Sequence, residues 1–372
     1  MRILHYYDNG DQMVSQHVKM LTNNMGLEAD IHSATESEQA RTLLKGGSYD
    51  VLHLHGCWRN SSKGIVTMAL HQGARLVLTP HGQLEPWVQE ERRWKEKLPK
   101  QLLYQRDIVE RAYAVIIQGR MEQECMEKLG WNPRTAVIRN AVITSSITPK
   151  DMARQTYAVY RKVMDSDPRK LMTANTLELL KAIITAGITG DRRWLDANRG
   201  AKASETVPPA ISNDQWRLLL CYAHQEQIMD TVQRGIRVLQ LACPDIDAEK
   251  IAYFVPTRHK QTDSIQQAIG NQFPTENDRL TASFRYLRKL DANRALSIKH
   301  LVELDSELRH HGCEEERLGE ELKERHLWKL ASRTMQLMAD MTGLTEGFMP
   351  IAPTNDRTTR RMRTDIENHL TI

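Results

Sequence analysis

Cysteine is scarce and scattered. There are five in 372 residues, an odd number with no Cys-x-x-Cys pair. That excludes a disulfide framework and the usual paired-cysteine zinc site, and it fits a reducing compartment. No apolar run approaches the ~18–20 residues of a membrane helix, and the mean hydropathy is −0.54. The opening Met1-Arg2-Ile3-Leu4-His5-Tyr6-Tyr7 is too short and too polar for the apolar part of a secretory signal. A dominant sign of charge is also missing: 51 basic and 47 acidic residues leave a net +4. The basic excess that marks a nucleic-acid partner is therefore lacking. No P-loop, HExxH, GxSxG or EF-hand loop occurs, and there is no internal repeat. A cytoplasmic protein of about two domains is expected, from a typical domain length of roughly 150 residues.

What is present divides unequally. In residues 1–148, short apolar runs fall at Arg2–Tyr7, Ala29–Ser33, Asp50–His55, Arg75–Thr79, Ala114–Gln118 and Thr135–Arg139. Between them lie stretches with helical spacing: Met13–Met25, Glu36–Lys45, Ser61–Gln72, Leu102–Ala112 and Met121–Leu129. Such alternation implies an α/β domain, a parallel sheet with helices on both faces. From 149 to 350 the rhythm is lost. Asp151–Met164, Thr176–Ala186, Asp214–His224, Gln225–Leu241, Arg294–His311 and Glu314–Met341 read as helices of a mostly α-helical domain of unknown role. Asn198–Asn213 and Arg258–Asp278 read as connectors. Residues 351–372 read as a polar tail free to fray, with a basic run at Arg357–Arg363.

An open parallel sheet binds ligands beyond the carboxyl ends of its strands. Those positions hold Asp8-Asn9-Gly10-Asp11, His55-Gly56-Cys57-Trp58, Thr79-Pro80-His81-Gly82, Gln118-Gly119-Arg120 and Arg139-Asn140-Ala141. Four of the five carry a glycine that lets backbone approach a ligand, and two carry a histidine suited to hydrogen bonding near neutral pH. Tight turns with locally satisfied histidines would give the same pattern. His53 and His55 share one side of a strand, as two metal ligands would. A third and fourth ligand are needed, and Cys57 is the only nearby prospect, so no metal site is assigned.

The run Asp50-Val51-Leu52-His53-Leu54-His55-Gly56-Cys57-Trp58 resembles the third-strand signature of family 4 glycosyltransferases. Leu78-Thr79-Pro80-His81-Gly82-Gln83-Leu84-Glu85-Pro86-Trp87 resembles that family's fourth strand and acceptor loop. Val137-Ile138-Arg139-Asn140-Ala141-Val142 is similar to its Pro-Asn-Gly-Val hinge. The resemblance spans about residues 1–145. It implies the acceptor-side half of a GT-B fold, in which two Rossmann-like domains face each other, and a retaining transfer without a metal or bound cofactor, the nucleotide sugar being a substrate. It implies His81 near the transferred sugar as the catalytic residue. Gly10, His55, Trp58, Gly82, Glu85, Trp87 and Asn140 would bind substrate. The acceptor would be a glycan or a lipid-linked sugar; the run Arg92-Arg93-Trp94-Lys95-Glu96-Lys97 reads either as a mixed-charge amphipathic helix or as a peripheral contact with the inner face of a membrane.

The departures are as informative as the matches. Asn9-Gly10-Asp11 has one glycine and an acidic neighbour where the family has a Gly-Gly loop near donor phosphates, and the hinge glycine is Ala141. The donor domain is not recognisable. The family's two glutamates eight positions apart match Glu316 and Glu324 formally, but Glu28 and Glu36 satisfy the same spacing, and Glu316 reads as part of a solvated helix face. Three readings follow: a divergent glycosyltransferase for surface polysaccharide; a catalytically inactive acceptor-binding or assembly partner of another glycosyltransferase; or a chain whose donor half comes from a partner.

Overall fold

A computed structural model describes residues 1–26, 29–85, 88, 98–192, 211–255 and 262–371. The chain forms two compact units. The first holds residues 1–166 with a return of the chain at 252–255; the second holds 167–251 and 262–371 among the described residues.

The first unit is a six-stranded, wholly parallel sheet: β1 (Arg2–Tyr6), β2 (Asp30–Ala34), β3 (Val51–His55), β4 (Arg75–Thr79), β5 (Ala114–Ile117) and β6 (Thr135–Val137). Its helices are α1 (Gln12–Asn24), α2 (Ser37–Gly46), α3 (Ser61–His71), α4 (Arg106–Arg111), α5 (Arg120–Leu129) and α6 (Pro149–Met164). A π-turn at Gln101–Gln105 precedes α4, which is why this helix is shorter than the expected Leu102–Ala112. The strand order is β2-β1-β3-β4-β5-β6, with β1 paired to β3 in the register Ile3↔Val51 and His5↔His53. The order reverses at β1 and β3, which is the switch point where such sheets open a crevice for ligands. This is the α/β, Rossmann-like class expected.

Strand alternation decides what each face buries. One face carries Leu4 and Tyr6, Leu52 and Leu54, and Leu76 and Leu78 against Leu44, Ile65 and Ile108 of α2, α3 and α4. Each such side chain contributes roughly 1.5–3 kcal/mol on burial. The other face begins the same way, with Ile3, Val51 and Val77 under Leu21 of α1 and Met152 and Tyr160 of α6. Towards the carboxyl ends that second face changes character. Ile3 is followed by His5, and Val51 by His53 and His55; all three histidines are buried. Phe254, from the returning segment, joins this second core, its backbone N–H donating to Ser166 Oγ at 2.8 Å.

The second unit is helical, and its described residues contain no strand. It comprises α7 (Ala174–Thr189), α8 (Asn213–Gln225), α9 (Met229–Leu239), α10 (Ile265–Ile269), α11 (Glu276–Ala292), α12 (Ile298–His310), α13 (Glu315–Glu324), α14 (Trp328–Met341) and α15 (Arg357–Glu367). Three differences from the expected elements have physical causes. The stretch Glu314–Met341 is two helices, because His326 takes a left-handed conformation (φ 56°) between them. Part of the expected connector 258–278 is helical: Ser264 closes a capping box on α10, and Thr275 caps α11, which buries Leu280, Phe284 and Leu287 on one face. Within 351–372, Asp356 closes a capping box on α15, and Met362 and Ile366 are buried in the core of this unit. The boundary expected at 148 falls at Ser166, since α6 packs on the sheet of the first unit.

Candidate functional site: a histidine cluster at the switch point

Local chemistry places five histidines together. Asp11 caps α1, its carboxylate accepting from the N–H groups of Met13 and Val14 at 3.1 Å each. That fixes the first turn, and one turn later His17 falls on the buried face with Val14, Val18 and Leu21. Strand pairing sets His5 beside His53. His55 ends β3, and His81 sits in the turn after β4. His81 and Gly82 both adopt left-handed backbone conformations, with φ of 53° and 77°. Histidine tolerates this region better than most residues but at a cost. Glu122 of α5 holds the turn: its two carboxylate oxygens accept from the N–H groups of Gly82 and Gln118, each at 2.8 Å.

The hydrogen bonds form one continuous chain whose direction the backbone decides. Val142 N–H donates to Asn140 Oδ1 at 3.0 Å, so the amide nitrogen of Asn140 must face Gln118. Asn140 Nδ2 accordingly donates to Gln118 Oε1 at 3.4 Å, and Gln118 Nε2 donates to His81 Nδ1 at 2.9 Å. His81 then carries its proton on Nε2 and donates to His55 Nδ1 at 3.1 Å. By the same logic His55 Nε2–H donates to His5 Nδ1 at 2.9 Å. The chain ends at His5 Nε2, which is buried with no partner among the described residues. On the other side of Asn140, His17 Nδ1–H donates to the same Oδ1 at 3.0 Å, leaving the lone pair on His17 Nε2. His53 stands apart from the chain, bonded to Tyr160 Oη at 2.5 Å and Thr79 Oγ1 at 2.7 Å.

All five rings are held neutral at physiological pH. Burial, with a contribution from His17, lowers His5 and His81 to about 3, and burial with the neighbouring imidazoles takes His53 and His55 well below their ordinary value. His17 is lowered by burial, with the Asn140 hydrogen bond opposing. The rings also pack on one another, with centroids 3.9 Å apart for His53–His55 and 4.8 Å for His17–His81.

His55 opens onto a hollow of about 770 Å³, also lined by Asp8, Gly10, Asp11, Arg59 and Gln83. Of the residues expected to bind substrate, the structure joins His55, His81 and Asn140 in the hydrogen-bonded chain and sets Gly10 on the hollow's rim. Gly82 supplies the N–H held by Glu122, and Glu85 lies against it, its carboxyl pushed up by burial. Trp58 anchors its loop: its indole N–H donates to the Gln83 carbonyl at 2.8 Å, and its backbone N–H to Gln105 Oε1 at 2.8 Å. Trp87 and the run Arg92–Lys97 lie outside the described residues. Glu316 and Glu324 are exposed on α13. His5, His17 and Glu122 are the site residues that sequence reasoning missed, and Gln118 was noted only as a strand-end position. Their signal was slight: a histidine within an apolar stripe of α1, another in the first strand, and polar residues just past β5.

A family model described as a glycosyl transferase 4-like domain matches residues 17–141. Within the first unit, residues 17–141 are thus similar to a glycosyltransferase family 4-like domain. No curated protein and no solved structure matches the chain.

Proposed function

We propose that the protein transfers a sugar from a nucleotide-sugar donor to a glycan or lipid-linked acceptor, with retention and in the synthesis of a surface polysaccharide. The hollow at the β1/β3 switch point would receive the acceptor. The observation that carries this reading is the pairing of His81 with His55, the histidine that lines that hollow, within a domain similar to the glycosyl transferase 4-like type. One ring presents an N–H and the other a lone pair. A sugar hydroxyl that exchanges for their mutual hydrogen bond would be gripped as acceptor and donor at once by two rings that burial keeps neutral. His81 is the residue we assign to the transferred sugar; Gly10, Gly82, Glu85 and Asn140 shape its surroundings, and Trp87 belongs to the same acceptor loop. The reaction would take place in the cytoplasm, at the inner face of the membrane if the acceptor is lipid-linked.

A second reading is favoured by the absence of strands among the described residues of the second unit. A chain lacking a Rossmann-like donor half would serve as an acceptor-binding or assembly partner, or would borrow the donor half from another glycosyltransferase. Thermal stabilisation by a panel of nucleotide sugars separates the readings. Stabilisation by one member of the panel supports the self-sufficient enzyme. No stabilisation by any member, together with co-purification of a second glycosyltransferase, supports the partner role.

A further inference from the structure

The sequence offered His53 and His55 on one strand face, with Cys57 the only nearby further ligand. The fold instead joins His55 to two histidines from other elements. A ring nitrogen from each of His17, His55 and His81 lies within 4.8 Å of the other two. The three come from α1, the end of β3 and the turn after β4, so the convergence is tertiary. We propose that these three imidazoles form a binding site for a divalent d-block cation of the zinc, cobalt or nickel type, with an open coordination position towards the hollow lined by His55. This stands without the glycosyl-transfer reading: the cation would take the two nitrogens, His55 Nδ1 and His81 Nε2, which that reading gives to a sugar hydroxyl, and with the cation bound the hydroxyl would sit at the open position instead.

Three features carry the proposal. Imidazole nitrogens suit these cations, and three histidines plus one exchangeable position is a recurrent arrangement for them. Neutral rings are the ligating form, and burial keeps all three neutral. Each ring is also braced through its other nitrogen, as ligating histidines are. His17 Nδ1–H is held by Asn140 Oδ1 at 3.0 Å, His55 Nε2–H by His5 Nδ1 at 2.9 Å, and His81 Nδ1 by the Gln118 amide at 2.9 Å. The His55 Nδ1 to His81 Nε2 separation of 3.1 Å is close to the spacing of two ligands on a tetrahedral cation, ~3.3 Å for bonds of ~2.0–2.1 Å. Proton accounting closes within the site. The cation takes the lone pairs of His17 Nε2 and His55 Nδ1. The proton on His81 Nε2 moves to Nδ1 and no proton is released; the Gln118 amide turns its carbonyl towards it and gives up the 3.4 Å hydrogen bond it accepts from Asn140 Nδ2. The open position would take an oxygen ligand such as a sugar hydroxyl or a phosphate.

The test uses the full chain, stripped with a chelator and titrated with cobalt(II) chloride. The expected result is one Co²⁺ per chain, with the visible absorption of a four-coordinate cobalt site, displaced by zinc(II) chloride. His17→Gln should weaken that site by more than about 100-fold, the size already reached by loss of outer partners, while the far-UV spectrum stays that of the wild type. Should that variant fail to fold, imidazole ¹⁵N shifts of the wild type on adding zinc decide the matter, with changes expected at His17, His55 and His81. No cobalt uptake, uptake unchanged in His17→Gln, or zinc shifts confined to exposed histidines such as His310 and His311 would each overturn the proposal.

Discussion

Acidification should destabilise the first unit well before ordinary carboxylate titration begins. Four rings, His5, His53, His55 and His81, have their pKa values pushed far down by burial. In the unfolded chain a histidine titrates near 6.5. At pH 7.5 both states are neutral and the rings leave stability untouched. Below 6.5 the unfolded chain takes up protons that the folded unit refuses, so stability falls with pH. At pH 5.5 each ring that stays neutral when folded costs about 1.4 kcal/mol. Four rings together cost roughly 5–6 kcal/mol, against a total of ~5–15 kcal/mol for a typical domain. The loss would level off only as the folded rings titrate, near pH 3 for His5 and His81. Glu122, pushed up by burial, acts in the opposite sense, but for a single proton. The assay is hydrogen exchange of β1 and β3 amides in the presence of a chelator, corrected for intrinsic exchange, at pH 7.5, 6.5 and 5.5. A stability that stays constant within about 1 kcal/mol from pH 7.5 to 5.5 would refute the account of a neutral, desolvated cluster.

Other substitutions probe separate parts of the account. Tyr160→Phe removes the hydroxyl 2.5 Å from His53 Nδ1 and leaves a buried ring nitrogen unpaired, which should cost about 1–3 kcal/mol in urea unfolding. Glu122→Ala strips the acceptor from the Gly82 and Gln118 N–H groups; a loss on the order of 3 kcal/mol is expected in thermal melts, with His81 resonances shifted in NMR spectra. In the second unit, Gly235→Ala would drive a Cβ into the Ile183 carbonyl where α9 crosses α7, just as one at Gly187 would meet Thr231. Backbone cannot yield as a side chain can, so at least ~3 kcal/mol should be lost, read as a lower thermal midpoint of helical circular dichroism.

The parallel sheet was legible because its strands are buried on both faces and therefore read as short apolar runs between helices. Arg75–Thr79 was located to the residue, and the neighbouring strands to within a residue or two. The helical unit was less legible. Leu280, Phe284 and Leu287 do recur at helical spacing, but within a charged segment that adjoins an apparent connector. The break at His326 rests on one backbone conformation that no residue type announces. His55 and His81 could be singled out because each follows a strand. Their joining could not, because the chain of hydrogen bonds depends on Asn140 meeting His17 across 123 residues and on Val142 fixing one amide. The strongest tertiary feature of the site thus comes from residues that look ordinary in the sequence.

The most direct test of the proposed function is nucleotide release by the purified chain with a panel of nucleotide sugars and oligosaccharide or lipid-linked acceptors, comparing the wild type with His81→Asn. Asparagine accepts the left-handed backbone at position 81 but cannot reproduce the hydrogen bond to His55. The account predicts acceptor-dependent nucleotide release by the wild type, reduced at least ~100-fold in the folded variant, the scale set by loss of one transition-state hydrogen bond. Release that is undiminished in His81→Asn, or the absence of release from every donor and acceptor pair, would contradict it.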